Sequence, residues 1–428
     1  MRKLLLTLLT GIFVLTNNAQ TVREELHENI FRMASNYMAY PGPQQKKLTP
    51  APKGMKPFYI SHYGRHGSRF HSKPSMYNAP YNVLVKADSL GKLTPLGRDV
   101  MHRLDIIRKD AENHWGDLTP LGAEQERQIA HRMFRNFPEA FRGHTSIDAR
   151  STGISRCVLS MENFLLELLR MNPHLNIHHN ATHRDMGYLN LQDKQLFTKK
   201  FGKETMATYK DYAKRHKPDD RLKLLLFNDT TYIRNAKGLD DFVSQLCLIA
   251  AIMHNTELGK TISLMDLMTE EDVYRMWKIG NVYWYIGWGN YLGSEGHQPF
   301  SQRNLLKRII HDADSCIAMP TTNVQLRFGH ETVILPLVCL LDIDGFGYAT
   351  DDLESLEDHG WVNYHVFPMA CNLQFVFYRR HPQDSDVVFK VLLNENEASL
   401  PLPTDMAPYY KWSDFRKYYL QKLAVYEN

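Results

Sequence analysis

The chain has 428 residues, with 51 Lys and Arg against 47 Asp and Glu, a formal charge of +4. That balance excludes a nucleic-acid binder driven by bulk charge, so any basic pocket must be local. The five cysteines, Cys157, Cys247, Cys316, Cys339 and Cys371, are scattered without a CxxC pair. This excludes a zinc ribbon or a dithiol redox motif and leaves room for at most two disulfides.

Residues 1–19 read as an export signal. Arg2 and Lys3 form a basic end, Leu4 to Leu15 is an apolar run, and Ala19 is a small residue at the junction. The run is short for a bilayer span and nothing later is long enough, so no membrane anchorage is expected. Without Arg2 and Lys3, 49 basic residues face 47 acidic ones. Residues 20–57, with Pro41, Pro43, Pro50, Pro52 and Pro57, read as an irregular lead-in.

Phe58 to Phe70, FYISHYGRHGSRF, starts as a strand and breaks at Gly64 into a loop carrying Arg65, His66, Gly67, Ser68 and Arg69. Two guanidiniums around one imidazole repel one another and strip the imidazole of its proton. That arrangement makes sense if an anion sits there: Arg matches phosphate oxygens in fork geometry, and a neutral His is a nucleophile toward phosphorus. The phrase Leu-Thr-Pro-Leu-Gly then occurs twice, at 93–97 and 118–122. In each, Thr followed by Pro predicts a helix start.

Thr145 to Ala149 reads as a strand, followed by a turn and a helix over 156–169 with Leu159, Phe164, Leu165 and Leu168 inside. Arg156 falls in its first turn, where backbone N–H groups also favour an anion. From 166 to 304 the pattern is mainly helical. There Arg184 is offered either to a substrate phosphate or to a surface ion pair, and the aromatic run Tyr283 to Gly289 reads as packing at a helix–loop junction, with a stacking platform as the alternative. His311-Asp312-Ala313-Asp314 lacks a metal-ligand geometry, and no metal is expected. Val324, Leu326 and Phe328 alternate as a strand before Gly329, and Val333 to Leu341 reads as a buried helix. His330 and Glu331 thus stand at a strand-to-helix turn, where sites of α/β sheets gather. Asn372 to Tyr378 and Val387 to Leu393 predict an antiparallel strand pair.

Arg65 to Arg69, RHGSR, resembles the Arg-His-Gly-x-Arg signature of the histidine phosphatases, in their histidine acid phosphatase branch. GDLTPLG at 116–122 is similar to that family's Leu-Thr-x-x-Gly element, and NLQFVFYR and VLLNENEASLPLP resemble its inositol polyphosphate phosphatases. The resemblance implies an α/β fold: a mixed-sheet core over 20–165 and 305–428, with a mainly helical insertion over 166–304 that forms a lid. It implies that His66 is transiently phosphorylated and that Arg65, Arg69 and a third arginine hold the phosphate. The third is Arg156 rather than Arg150, because Phe164 follows it at the family's spacing of eight. His330 corresponds to the second histidine. The family follows it with Asp, in acid phosphatases and phytases, or with Ala-Glu, in multiple inositol polyphosphate phosphatases; Glu331-Thr332 is neither.

The sequence therefore predicts a periplasmic or secreted phosphomonoesterase, without cofactor or metal, acting on inositol polyphosphates such as phytate. Glu331 would protonate the leaving alkoxide. The helix start favours its ionised form, and a bound phosphate dianion favours the protonated one. The substrate is expected to prevail, with activity best at mildly acid pH. A broad acid phosphatase on sugar phosphates is the alternative among enzymes. A non-catalytic polyanion-binding protein is the alternative outside them, though it has no need to keep both His66 and a carboxylate.

Overall fold

The structure is a computed structural model that describes residues 20–41, 44–190, 193–318 and 323–427. The export signal expected over 1–19 lies outside the described residues. Eight strands form one sheet: β1 (Lys56–Arg65), β2 (Ser146–Ser151), β3 (Asn176–Asn180), β4 (Asn323–Gly329), β5 (Asn372–Arg379), β6 (Val388–Leu393), β7 (Asn396–Ala398) and β8 (Tyr410–Lys411). Their order is β8-β6-β5-β1-β4-β2-β3, with β7 paired to β6. The strands β1, β4, β2 and β3 run parallel, whereas β5 joins β1 antiparallel. This is a mixed α/β sheet, as the sequence predicts.

Two apolar layers cover it. Tyr59 and Tyr63 of β1 pack in one, with the helices Glu331–Leu341, Arg303–Ala318 and Trp412–Glu427. Ile60 faces the other, with Val324, Leu326 and Phe328 of β4 and the helices Pro120–Asn136 and Ser155–Met171. Period-2 alternation along β1 and β4 thus serves both faces at once. Phe164, Leu165 and Leu168 are buried as expected, but Leu159 is 49 % exposed. It falls on the outer side of its helix, while Ser160 and Met161 turn inward.

Helices Ser75–Ser89, Pro95–Asp110 and Leu239–Met253 share a separate core. Both repeated Thr residues cap helices, Thr94 accepting from Gly97 N at 3.0 Å and Thr119 from Gly122 N at 3.2 Å. Residues 22–37 are not irregular. Thr21 and Glu24 form a capping box that starts the helix Val22–Glu28, and a 3-10 segment Ile30–Tyr37 follows. Val22, Leu26 and Met33 bury against Trp277 and Tyr364, which ties this segment to the helix Glu270–Trp288. All five cysteines are buried free thiols. Among the described residues no helix is long and apolar enough to cross a membrane.

Candidate active site

Register decides where the site forms. Arg65 pairs with Gly329 and Ser151 with Phe328, so β1, β4 and β2 end at one level. His66 leaves β1 there, and His330 leaves β4 as the cap of the helix Glu331–Leu341. Their rings lie 5.6 Å apart, edge to face.

The loop after β1 is held by backbone packing. A Cβ on Gly67 would collide with the Gly122 carbonyl, and one on Gly122 with the Ser68 carbonyl. The second Leu-Thr-Pro-Leu-Gly therefore seats the loop: Thr119 N donates to Ser68 O at 2.8 Å, and only glycine permits the approach at 67 and 122. Gln125 Oε1 accepts from Ser68 N at 2.9 Å and Ser160 Oγ from Gly67 N at 3.0 Å.

His66 is 1 % exposed, and its Nδ1 lies 2.9 Å from Gly67 O. A carbonyl only accepts, so the proton sits on Nδ1 and Nε2 keeps its lone pair. Burial and the Arg65, Arg69 and Arg156 charges hold the ring's pKa well below its ordinary value, which keeps it neutral. His330 is held down to about 4, by burial first, with Arg156 and Arg65 acting in the same sense and Glu331 against.

The arginines carry the charge of the site. Arg65 is fully buried, its Nη1 donating to Asn36 O at 2.5 Å and Phe367 O at 3.0 Å. Yet Arg65 Nη2, Arg69 Nε and Arg156 Nε are all buried without a hydrogen-bond partner. Three guanidiniums with donors left open around a neutral imidazole form a cluster whose chemistry suits an oxyanion. Glu331 is turned toward Arg65, Oε2 lying 3.0 Å from its Nε, and its Oε1 accepts from Asn36 Nδ2 at 3.2 Å. Burial pushes its pKa up, but Arg65 and Arg69 outweigh it and hold it at about 2. Ligand atoms of His66, His330 and Glu331 lie within 4.8 Å of one another, a spacing that suits a cation; the surrounding guanidiniums repel one.

The structure thus brings Arg65, His66, Arg69, Arg156, His330 and Glu331 together. Arg184 is exposed on a short turn, and neither a hydrogen bond nor an ion pair joins it to them among the described residues. Sequence reasoning missed Asn36, which touches both Arg65 and Glu331. Its neighbour Ser35 adopts φ 55°, a strained conformation for a serine, and this turns the chain so that the Asn36 carbonyl and amide face the site. The capping box at Thr21 was the one signal that this stretch is ordered. Cys157 was also missed: its sulfur lies 3.8 Å from His330 Nε2, and burial pushes the thiol up to about 12, so it packs as a neutral group.

Known structures share this fold. A multiple inositol polyphosphate phosphatase of Bifidobacterium longum, solved in complex with inositol hexasulfate, superposes with a TM-score of 0.76 at 18 % identity, over 90 % of this chain and 97 % of that one. The phytase from D. castellii gives 0.64 at 14 % identity, over 97 % and 91 %. The Hafnia alvei phytase in complex with tartrate gives 0.51 at 15 %, over 87 % and 98 %. At these identities the likeness speaks for the fold. No curated protein sequence matches. The histidine phosphatase superfamily (branch 2) matches residues 65–394, which contain the whole cluster from Arg65 to Glu331. The chain belongs to that superfamily and is a phosphatase.

Proposed function

We propose that the protein hydrolyses inositol polyphosphates through a phosphohistidine on His66. The observation that carries this reading is the set of unpartnered guanidinium donors around a neutral His66 with a free Nε2. Arg65, Arg69 and Arg156, with His330, hold the oxygens of the transferring phosphoryl group and stabilise charge that builds on them. His66 Nε2 attacks phosphorus opposite the ester oxygen; the N–P bond forms, the P–O bond breaks, and the leaving oxygen takes a proton. Water then attacks phosphorus and the N–P bond breaks, releasing phosphate and restoring His66.

Glu331 is the proposed donor to the leaving oxygen. It must first take up a proton, and the dianion of a bound phosphate supplies the repulsion that raises its pKa from the resting value. A second reading is favoured by its ion pair with Arg65: Glu331 anchors that guanidinium, and the proton comes from elsewhere. Arg184 is kept as a contact for a distant substrate phosphate. The named ligand of the Bifidobacterium protein, a sulfate analogue of phytate, supports inositol polyphosphates over sugar phosphates. Export follows from the reading of residues 1–19, and the helical stretch 166–304 is assigned to substrate choice.

Product analysis on inositol hexakisphosphate beside a sugar phosphate tests the substrate. Successive lower inositol phosphates are expected, with a higher kcat/KM than for the sugar ester. A clear preference for the sugar phosphate overturns it. Activity is also expected to survive exhaustive chelation; loss restored by a divalent ion contradicts a site run by arginines.

A further inference from the structure

A cavity of about 270 Å³ opens beside Thr332, the residue after Glu331, between the helix Lys194–Lys200 and the end of the long helix Glu270–Trp288. Lys200 projects into an aromatic cage there, its Nζ 3.9 Å from the ring centre of Trp288, 5.1 Å from Phe201 and 5.4 Å from Phe197. Among the described residues no carboxylate answers it: Asp193, in the same cavity, is held by Arg303 at 2.8 Å, and the neighbouring Lys199 takes Glu295. Burial alone moves its pKa, down to about 8. Gln302 also lines the cavity, 3 % exposed, and its side-chain oxygen has no partner.

A largely buried ammonium without an anion is costly, and cation–π contacts recover only part of the lost hydration. Its charge is an open valence of the same kind as the free donors of Arg65, Arg69 and Arg156. An acceptor without a donor, on Gln302, adds a second. A phosphate monoester near its second pKa of about 6 satisfies both, with anionic oxygens for Lys200 and a P–OH for the amide oxygen. Thr332, which lines the cavity, directly follows His330 and Glu331 in the chain.

We propose that this cavity is a second phosphate subsite, in which Lys200, held over Trp288, receives a phosphate of the substrate other than the one being transferred. The proposal rests on the reading that the substrates carry several phosphates. Lys200 then selects polyphosphorylated polyols over simple esters, and does so through binding rather than chemistry.

The test uses the purified chain, the non-hydrolysable probe inositol hexasulfate, and two substrates. Lys200→Met keeps the aliphatic stem and removes the charge. It is expected to weaken inositol hexasulfate binding by about tenfold or more, the scale of a charge-assisted hydrogen bond, and to raise KM for inositol hexakisphosphate in proportion with kcat unchanged. The monophosphate p-nitrophenyl phosphate is expected to keep its wild-type kcat/KM, and Lys200→Arg to retain most of the affinity. Equal inositol hexasulfate affinity in Lys200→Met and wild type overturns the subsite. So does a parallel loss on p-nitrophenyl phosphate, or a loss in Lys200→Arg as large as in Lys200→Met, since either marks a packing role. If wild type itself hydrolyses p-nitrophenyl phosphate but neither binds inositol hexasulfate nor cleaves the hexakisphosphate, the polyphosphate reading falls first and the subsite with it.

Discussion

Two clusters of buried arginine chemistry adjoin the same central strands, β1 and β4, and differ in their partners. Arg327, 2 % exposed, sits on β4 three residues before His330. Its Nη2 donates to Asp312 at 2.6 Å and Gln325 at 3.1 Å, and its Nη1 to Ser61 at 2.9 Å. Arg65, Arg69 and Arg156, one step along the sheet, keep donors open. Burial is similar for Arg327, Arg65 and Arg69, so burial does not distinguish structure from function here. The partners differ: Arg327 has a carboxylate and two neutral acceptors, whereas three neighbouring guanidiniums keep donors open toward one point.

The comparison breaks first at the carboxylates, since Glu331 meets Arg65 much as Asp312 meets Arg327. If Glu331 is a proton donor, Glu331→Gln should lower kcat on inositol or sugar phosphates by about 10²–10⁴-fold. It should largely spare p-nitrophenyl phosphate, whose leaving group needs no proton. Steady-state rates on both substrates decide it. Equal losses make Glu331 an anchor, the functional twin of Asp312.

The arginines themselves come next. Arg156→Ala should reduce kcat/KM by about 10²–10³-fold, as removal of one stabilising donor does elsewhere. It should leave urea stability unchanged or raised, because it relieves repulsion with Arg69. Arg327→Met should do the reverse. It leaves the buried Asp312 with Arg308 and His311 as its remaining partners, at a cost of about 3 kcal/mol, with little change in kcat for the folded fraction. Denaturation curves and kinetics on both variants test the contrast, and a stability loss in Arg156→Ala matching that of Arg327→Met would erase it.

The smallest effect concerns the histidines. His62, beside Arg327, is held down to about 3 by burial and then by that charge; His71 lies at about 3 and His254 and His330 at about 4, burial leading in each. Unfolding frees these rings to take up protons below about 6.5. Stability is therefore complete above that pH and is lost as the pH falls, each ring adding a slope of about 1.4 kcal/mol per unit. His62→Leu should flatten the dependence between pH 6 and 4 by one proton, as read from unfolding curves; an unchanged slope would contradict its neutral burial.

Much of this was legible in the sequence. Arg65 ends an evident strand and His66 and Arg69 follow it within four positions, and Arg156, His330 and Glu331 each stand where a strand hands over to a helix. Such local patterns survive folding. Asn36 was not legible, because its role depends on a chain reversal at Ser35 and on contacts spanning 295 residues to Glu331. Why the second Leu-Thr-Pro-Leu-Gly lies against the loop after β1 also needed three dimensions, since only there do Gly67 and Gly122 meet. Leu159 misled because its apolar character fitted a helix face that the neighbouring Ser160 in fact occupies.

The central claim is that the open arginine cluster exists to place a phosphoryl group on His66. Rapid quench of the enzyme in alkaline denaturant during turnover of radiolabelled substrate, followed by peptide mapping kept at alkaline pH, tests it directly. Label is expected on His66, stable to base and labile to acid. His66→Ala should give no labelled enzyme and lose activity by more than about 10³-fold, beyond the loss of a single stabilising donor. Label on Ser68 or another hydroxyl, or substantial turnover by His66→Ala, would contradict the account.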